Sequence, residues 1–322
     1  MHHPFTSHLN ANPKGREPRL SEGITSQMQQ EPLVRADEFI QRELRNRLES
    51  LESHTSAHAL YFNGPLYPGS DDIFKDLIEG RRGNGEPSDR LVILLTSMGG
   101  QVGPVQRIAE TVRHFYKDIW FVIPNHAYSA GTIWAMSGDR IFMDYYSRLG
   151  PIDPQVPNSN GTWVPAIGYL RRWEALLEKA NDGTITTAEV QIMLNFDQAE
   201  LYFYEQAAEQ SVALLKDWLA NYKFRDWKKT QSRGRKVTKA MRERRAREIA
   251  EKLSDSDRWH SHGHGISKVV LERDINLLID DLEQDPEFYQ LVKQYDKLSV
   301  DYMRKMGASV SAHALESSLV LL

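Results

Sequence analysis

The strongest constraint on this fold is a run of five consecutive apolar residues, 91–95 (LVILL). A run this short, with no polar alternation, suggests a strand buried on both faces, as in a parallel sheet covered by helices. Thr96-Ser97-Met98-Gly99-Gly100 follows, and then Val105, Ile108, Ala109, Val112 and Phe115 mark one helical face. The same alternation surrounds this unit. Residues 59–62 read as a strand stopped by Asn63-Gly64-Pro65. Residues 71–78 read as a helix, and residues 80–89 as a charged, Gly-containing loop. Residues 119–123 form the next apolar run, ended by Pro124. After a short apolar helix at 133–136, Gly138-Asp139 turns the chain into a strand at 141–143. Strands alternating with helices predict βαβ units and an α/β fold with a mostly parallel sheet.

Two turns in this core carry chemistry. If the strands at 91–95 and 119–123 are parallel, both exit at the carboxyl edge of the sheet, where open α/β sheets bind ligands. Gly99-Gly100 and Ser129 then meet there. The glycine pair is compatible with a tight turn, a phosphate loop or an oxyanion hole. The Lys of a Walker loop and the G-x-G-x-x-G spacing are both missing. Ser129 stands where a helix begins, a place that suits a simple N-cap or a nucleophile beside free backbone amides.

Three segments occur in order: TSMGG before a helix, NHAYSAGT with Ser129 29 residues after Gly100, and GPIDPQ at 150–155. Together they resemble the Clp-protease/crotonase fold. Within it they are most similar to the serine dehydrogenase proteinase family, related to signal peptide peptidase A and the stomatin-operon proteases. The resemblance implies a repeated ββα/βαβ core with a mostly parallel sheet, plus a C-terminal helical extension. It implies Ser129 as nucleophile and the amides of Gly100 and Ala130 as oxyanion hole. Met98 stands where the family usually has Pro. A segment similar to the family's H-G-x-x-I-S places His262 as the general base, with His264 as runner-up. His126 and a lysine are further candidates for the base, although no lysine stands at a matching position. Asp153 either orients the base or caps the turn between Pro151 and Pro154.

The function so implied is a serine-type endopeptidase needing no cofactor and no metal. Its substrates would be peptides or proteins. It would work as a homo-oligomer, a trimer-based ring, with an activating or membrane-associated partner. The alternatives are a crotonase-like acyl-CoA enzyme and a non-catalytic oligomeric interaction module.

The 322 residues have 40% hydrophobic content, a net charge of −4 and no cysteine, with a mean hydropathy of −0.54. Disulfides, thiolate metal sites and a cysteine nucleophile are excluded. A cytoplasmic location is the expectation. The organisation expected is a disordered tail at 1–32, an N-terminal helix at 33–55, the catalytic core at 56–160, a helical extension at 161–300 and a C-terminal tail at 301–322. His2, His3 and His8 fall in the first tail and read as part of a flexible leader rather than a metal site. Within the extension, 223–247 holds twelve Lys or Arg against Asp226 and Glu243. With Phe224 and Trp227 this run suits either a solvated helical arm or a surface for nucleic acid or an anionic membrane. His260, His262 and His264, in the segment 259–267, alternate like metal ligands on an extended chain. No carboxylate stands at a recognised zinc spacing, so no metal is expected there.

Overall fold

The apolar runs become the central strands of a sheet covered on both sides. The computed structural model describes residues 35–84, 86–157, 163–230 and 234–322. The tail expected at 1–32, with His2, His3 and His8, and the expected helix start at Leu33 lie outside these residues. In chain order, α1 (Ala36–Thr55) leads to β1 (His58–Asn63), α2 (Ser70–Asn84), β2 (Arg90–Thr96), α3 (Val102–Phe115) and β3 (Asp118–Ile123). Next come β4 (His126–Ala127), α4 (Ala130–Ala135), β5 (Arg140–Met143), β6 (Arg148–Leu149), β7 (Gln155–Pro157) and β8 (Trp163–Pro165). The helical part contains α5 (Ala166–Asn181), α6 (Thr187–Met193), α7 (Gln198–Trp218), α8 (Lys239–Ser254) and α9 (Ser256–Trp259). The chain then passes through β9 (Ile266–Ser267), α10 (Lys268–Val270), β10 (Asp280–Asp281), α11 (Pro286–Met306), β11 (Ser311–Ala314) and β12 (Val320–Leu321).

Among the described residues the main sheet runs β10-β5-β3-β2-β1-β11-β12. The five strands from β10 to β1 are parallel. Side chains alternate across it, as the two-residue period of a strand requires. Leu60, Phe62, Ile93, Leu95, Phe121 and Ile123 join the core beneath α2, α3 and α4. Ala59, Tyr61, Val92, Leu94, Val122 and Phe142 face the opposite core, with Leu44, Leu48 and Leu51 of α1 and Phe288 and Val292 of α11. Burial on both faces is why 91–95 shows no polar alternation. The helix face anticipated from Val105, Ile108, Ala109 and Val112 is the buried face of α3.

The segment expected as a C-terminal tail is instead structural. All four residues of β11 are buried, and β11 pairs antiparallel with β1, with Leu60 opposite Ala314. Ser-Ala-His-Ala lacks the bulky β-branched residues that signal a strand, so its role comes from tertiary partners. Ser311 Oγ lies 3.2 Å from Ser299 Oγ, and His313 Nδ1 lies 2.7 Å from Tyr295 Oη. Two further boundaries differ. The loop expected at 80–89 begins later, because α2 continues to Asn84. Within the expected helical extension, α6 ends at Met193 and a new helix begins at Gln198, where the Asp197 side chain caps α7 by accepting from the Ala199 amide at 2.7 Å.

His313 makes stability depend on pH. Burial keeps its ring neutral and lowers its pKa to about 4, below the ordinary 6.5 of an unfolded chain. Between those values the unfolded chain binds the proton and the folded chain does not, so stability falls as pH falls through this window. The loss from this residue between pH 7 and pH 5 is about 2 kcal/mol. Urea unfolding of wild type and His313→Gln at both pH values checks it. The variant is expected to show a correspondingly smaller drop, and equal drops would remove His313 as the cause.

A second, small sheet positions the site. Its order is β4-β6-β9, with β4 and β6 parallel and β9 antiparallel to β6. His126, Arg148 and Ser267 share one register level, and Ala127, Leu149 and Ile266 the next. The residues after β4, the residues after β6 and the residues before β9 therefore all emerge at the same end. These are Ser129, Asp153 and His262.

Candidate active site

The glycine pair and Ser129 are held together by backbone pairing. Ser97 N–H donates to His126 O at 2.9 Å, and Tyr128 N–H donates to Ser97 O at 2.9 Å. This closes the two turns predicted to meet at the sheet edge. Leu66 straps the glycines from outside: its amide donates to Gly99 O at 2.9 Å, and its carbonyl accepts from Gln101 at 2.8 Å. The Gly99 amide is taken by Ser97 Oγ at 3.0 Å. By contrast, among the described residues no backbone hydrogen bond ties the amides of Gly100 or Ala130 to another segment. The space is tight. A Cβ on Gly99, at φ 101°, would lie 2.8 Å from Ser129 Cβ, and one on Gly100 would lie 2.1 Å from Leu66 O.

Ser129 has φ 49° and ψ −117° and directly precedes α4. A positive φ at a residue with a side chain costs roughly 1–3 kcal/mol and persists only where the surroundings impose it. It is the backbone form of a nucleophile elbow, a sharp turn that lifts a serine hydroxyl clear of the helix it precedes. The side chain makes no cap hydrogen bond, so the simple N-cap alternative is not what this serine does. Thr132 sets the turn against the next segment. Its Oγ1 lies 2.6 Å from Ala127 O and accepts from the Gly150 amide at 2.9 Å. Gly150 in turn abuts Tyr128, whose Cδ1 would be 2.8 Å from a Cβ there.

Asp153 and His262, 109 residues apart, form a hydrogen-bonded pair. Asp153 Oδ1 accepts from His262 Nδ1 at 2.9 Å. The carboxylate is 2% exposed, while the ring is partly open to solvent. An ionised carboxylate only accepts, so the proton of a neutral ring sits on Nδ1 and the lone pair on Nε2. The turn-capping alternative for Asp153 accounts for neither contact of its carboxylate, since Oδ2 accepts from Gln155 Nε2 at 3.0 Å. The runner-up His264 is exposed and leans on Trp259, with ring centroids 5.4 Å apart. His126 lies within β4 against Tyr128, its pKa lowered by burial. Sequence reading gave no role to Thr132 or Gln155, although both lie inside the quoted segments. The available signal was slight: Thr132 is a lone hydroxyl in the otherwise apolar α4, and Gln155 simply opens β7.

The basic run is not one helical arm. Lys223 is buried 3.7 Å from Asp280, with its pKa lowered to about 8 by burial. Arg225 reaches Asp139 at 3.0 Å. Phe224 and Trp227 pack on the core rather than facing solvent. Lys229 and Lys236 then form an isolated antiparallel bridge, and α8 buries Ala246, Ile249, Ala250 and Leu253. Among the described residues no group of three or more His, Asp or Glu is arranged to hold a metal ion, and no helix is long and apolar enough to cross a membrane.

A mostly parallel sheet between helices, with a serine on the turn into α4, is a ClpP-like α/β fold. Residues 81–239 match the family described as ClpP-like SDH-type serine proteinase. It is similar to the uncharacterized protein MJ0137 of Methanocaldococcus jannaschii, at 26% identity over 222 residues, spanning 66% of this chain and 71% of that protein. It is also similar to the uncharacterized protein MJ1495 of the same organism, at 26% identity over 177 residues, or 55% of this chain; it spans about half, 48%, of that relative. Among solved structures it is similar to a 1510-N membrane-bound stomatin-specific protease in complex with a substrate peptide. That match has 16% identity and a TM-score of 0.39, and covers 69% of this chain and 72% of the other. The ClpP protease catalytic domain from Plasmodium falciparum matches at 13% identity and a TM-score of 0.27, over 37% of this chain and 63% of that domain.

Proposed function

We propose that this protein is a serine peptidase in which Ser129, His262 and Asp153 act together. The observation that carries the reading is topological: the strained Ser129 turn and the Asp153–His262 pair leave the same end of the three-stranded sheet. Ser129 Oγ attacks the carbonyl carbon of a peptide bond while His262 Nε2 takes its proton. The Gly100 and Ala130 amides receive the developing oxyanion, a role supported by the absence, among the described residues, of a backbone partner for either in another segment. The imidazolium, held by Asp153, returns the proton to the leaving amine as the C–N bond breaks. A water molecule then hydrolyses the acyl-enzyme by the same proton transfers in reverse. The substrate is a peptide or protein. The proposal extends to a homo-oligomeric, trimer-based assembly with an activating or membrane-associated partner, on the strength of the family resemblance alone.

Labelling with a fluorophosphonate probe, read by intact mass, tests it. Wild type is expected to take a single adduct and Ser129→Ala none. Folded wild-type protein without an adduct would overturn the reading, and acyl-CoA bound to that protein would favour the crotonase-like alternative.

A further inference from the structure

The Asp153 carboxylate is held by two side chains, and only one of them belongs to the mechanism above. Oδ1 accepts from His262 and Oδ2 from Gln155 Nε2, at 2.9 and 3.0 Å. The backbone on either side is pinned. Ile152 N–H donates to Leu253 O at 3.0 Å, and Pro154 O accepts from Ala166 at 2.9 Å. The freedom left to Asp153 is rotation of its own side chain, and a carboxylate rotates about its last bond over a broad, soft minimum. A single hydrogen bond to His262 leaves that rotation to the imidazole, the group the carboxylate is meant to orient. A second donor on the other oxygen removes it.

We propose that Gln155 is a positioning residue: it fixes the plane of the Asp153 carboxylate so that Oδ1 holds His262 in the Nδ1–H tautomer. This rests on the serine peptidase reading for its consequence in catalysis, but the contact itself does not. The backbone of Gln155 serves a separate purpose, pairing with Pro165 in the β7–β8 ribbon. Substituting the side chain therefore leaves the ribbon's hydrogen bonds in place.

Two variants separate positioning from mere packing. Gln155→Leu removes the donor at every pH. Gln155→Glu restores a donor only while the new carboxyl is protonated, because a protonated acid can donate to Oδ2 and an ionised one repels it. The ratio of the fluorophosphonate labelling rate of Gln155→Glu to that of wild type is expected to fall about tenfold or more from pH 5 to pH 8. The same ratio for Gln155→Leu is expected to be low and flat. Independently of any reaction, nitrogen-15 NMR of histidine-labelled protein reports the His262 tautomer. Wild type is expected to be chiefly Nδ1–H, and Gln155→Leu to shift toward Nε2–H. If wild type takes no label, the peptidase reading fails, yet the tautomer shift still decides what Gln155 does. An unchanged His262 tautomer in Gln155→Leu would overturn the positioning role. So would a Gln155→Glu rate ratio independent of pH.

Discussion

Gly100→Ala is expected to destabilise the protein by about 3 kcal/mol or more and to abolish labelling of Ser129. The new Cβ would sit 2.1 Å from Leu66 O and 2.6 Å from Leu66 C. Both obstacles are backbone atoms, so no rotamer change relieves them. Leu66 cannot simply retreat, because its amide and carbonyl are both bonded into the glycine loop. Relief requires moving the strap or the loop, and either displaces the glycine turn whose Gly99 abuts Ser129. Urea midpoints and labelling rates measure the two effects. Gly103→Ala is the control: a Cβ there meets nothing within 4 Å, and α3 gains about 1 kcal/mol of helix propensity at most. A Gly100→Ala protein with the wild-type midpoint would show that the strap yields freely.

Asp153→Asn is expected to slow labelling and peptide hydrolysis by about 100- to 10,000-fold while leaving Ser129 and the fold in place. The exchange is nearly isosteric, which suits a residue 2% exposed. It removes the charge that stabilises the imidazolium and turns one of the two acceptor oxygens into an NH2 donor, which, facing His262, favours the wrong tautomer. Most of the loss should appear in the acylation step, where His262 takes the serine proton. A labelling rate within twofold of wild type would take Asp153 out of the mechanism.

What the sequence revealed follows a physical division. Residues 91–95 and 119–123 were legible because burial on both faces demands uninterrupted apolar residues. The face of α3 was legible from its period. The approach of the Gly99-Gly100 turn to Ser129, seen at Gly99, followed from parallel strands ending on one edge. β11 was not legible, because Ser-Ala-His-Ala is a strand only by virtue of β1 beside it and α11 above it. The pairing of His262 with Asp153 depends on β9 joining β6 across more than a hundred residues, and two-residue strands leave no periodicity to read. Family resemblance pointed to His262, and nothing in residue spacing alone did. The basic run was legible only in part: Lys228, Lys229, Lys239, Arg244 and Arg247 are exposed, as charge density suggested, whereas Lys223 and Arg225 pair with Asp280 and Asp139 elsewhere in the chain.

The neighbour of β1 in the sheet has a consequence for synthesis. β1 ends at Asn63 and β11 begins at Ser311, so 311 − 63 = 248 positions separate the partners. A ribosome adding about 5–20 residues per second takes tens of seconds to cover that distance. Throughout that interval the apolar residues of β1 have a partner on the β2 side and none on the other. An open edge of this kind is a template for pairing with any extended chain nearby. The emerging polypeptide is therefore most vulnerable to aggregation during translation of its helical middle, and a chaperone that shields this strand edge would act before the last sheet partner has been made.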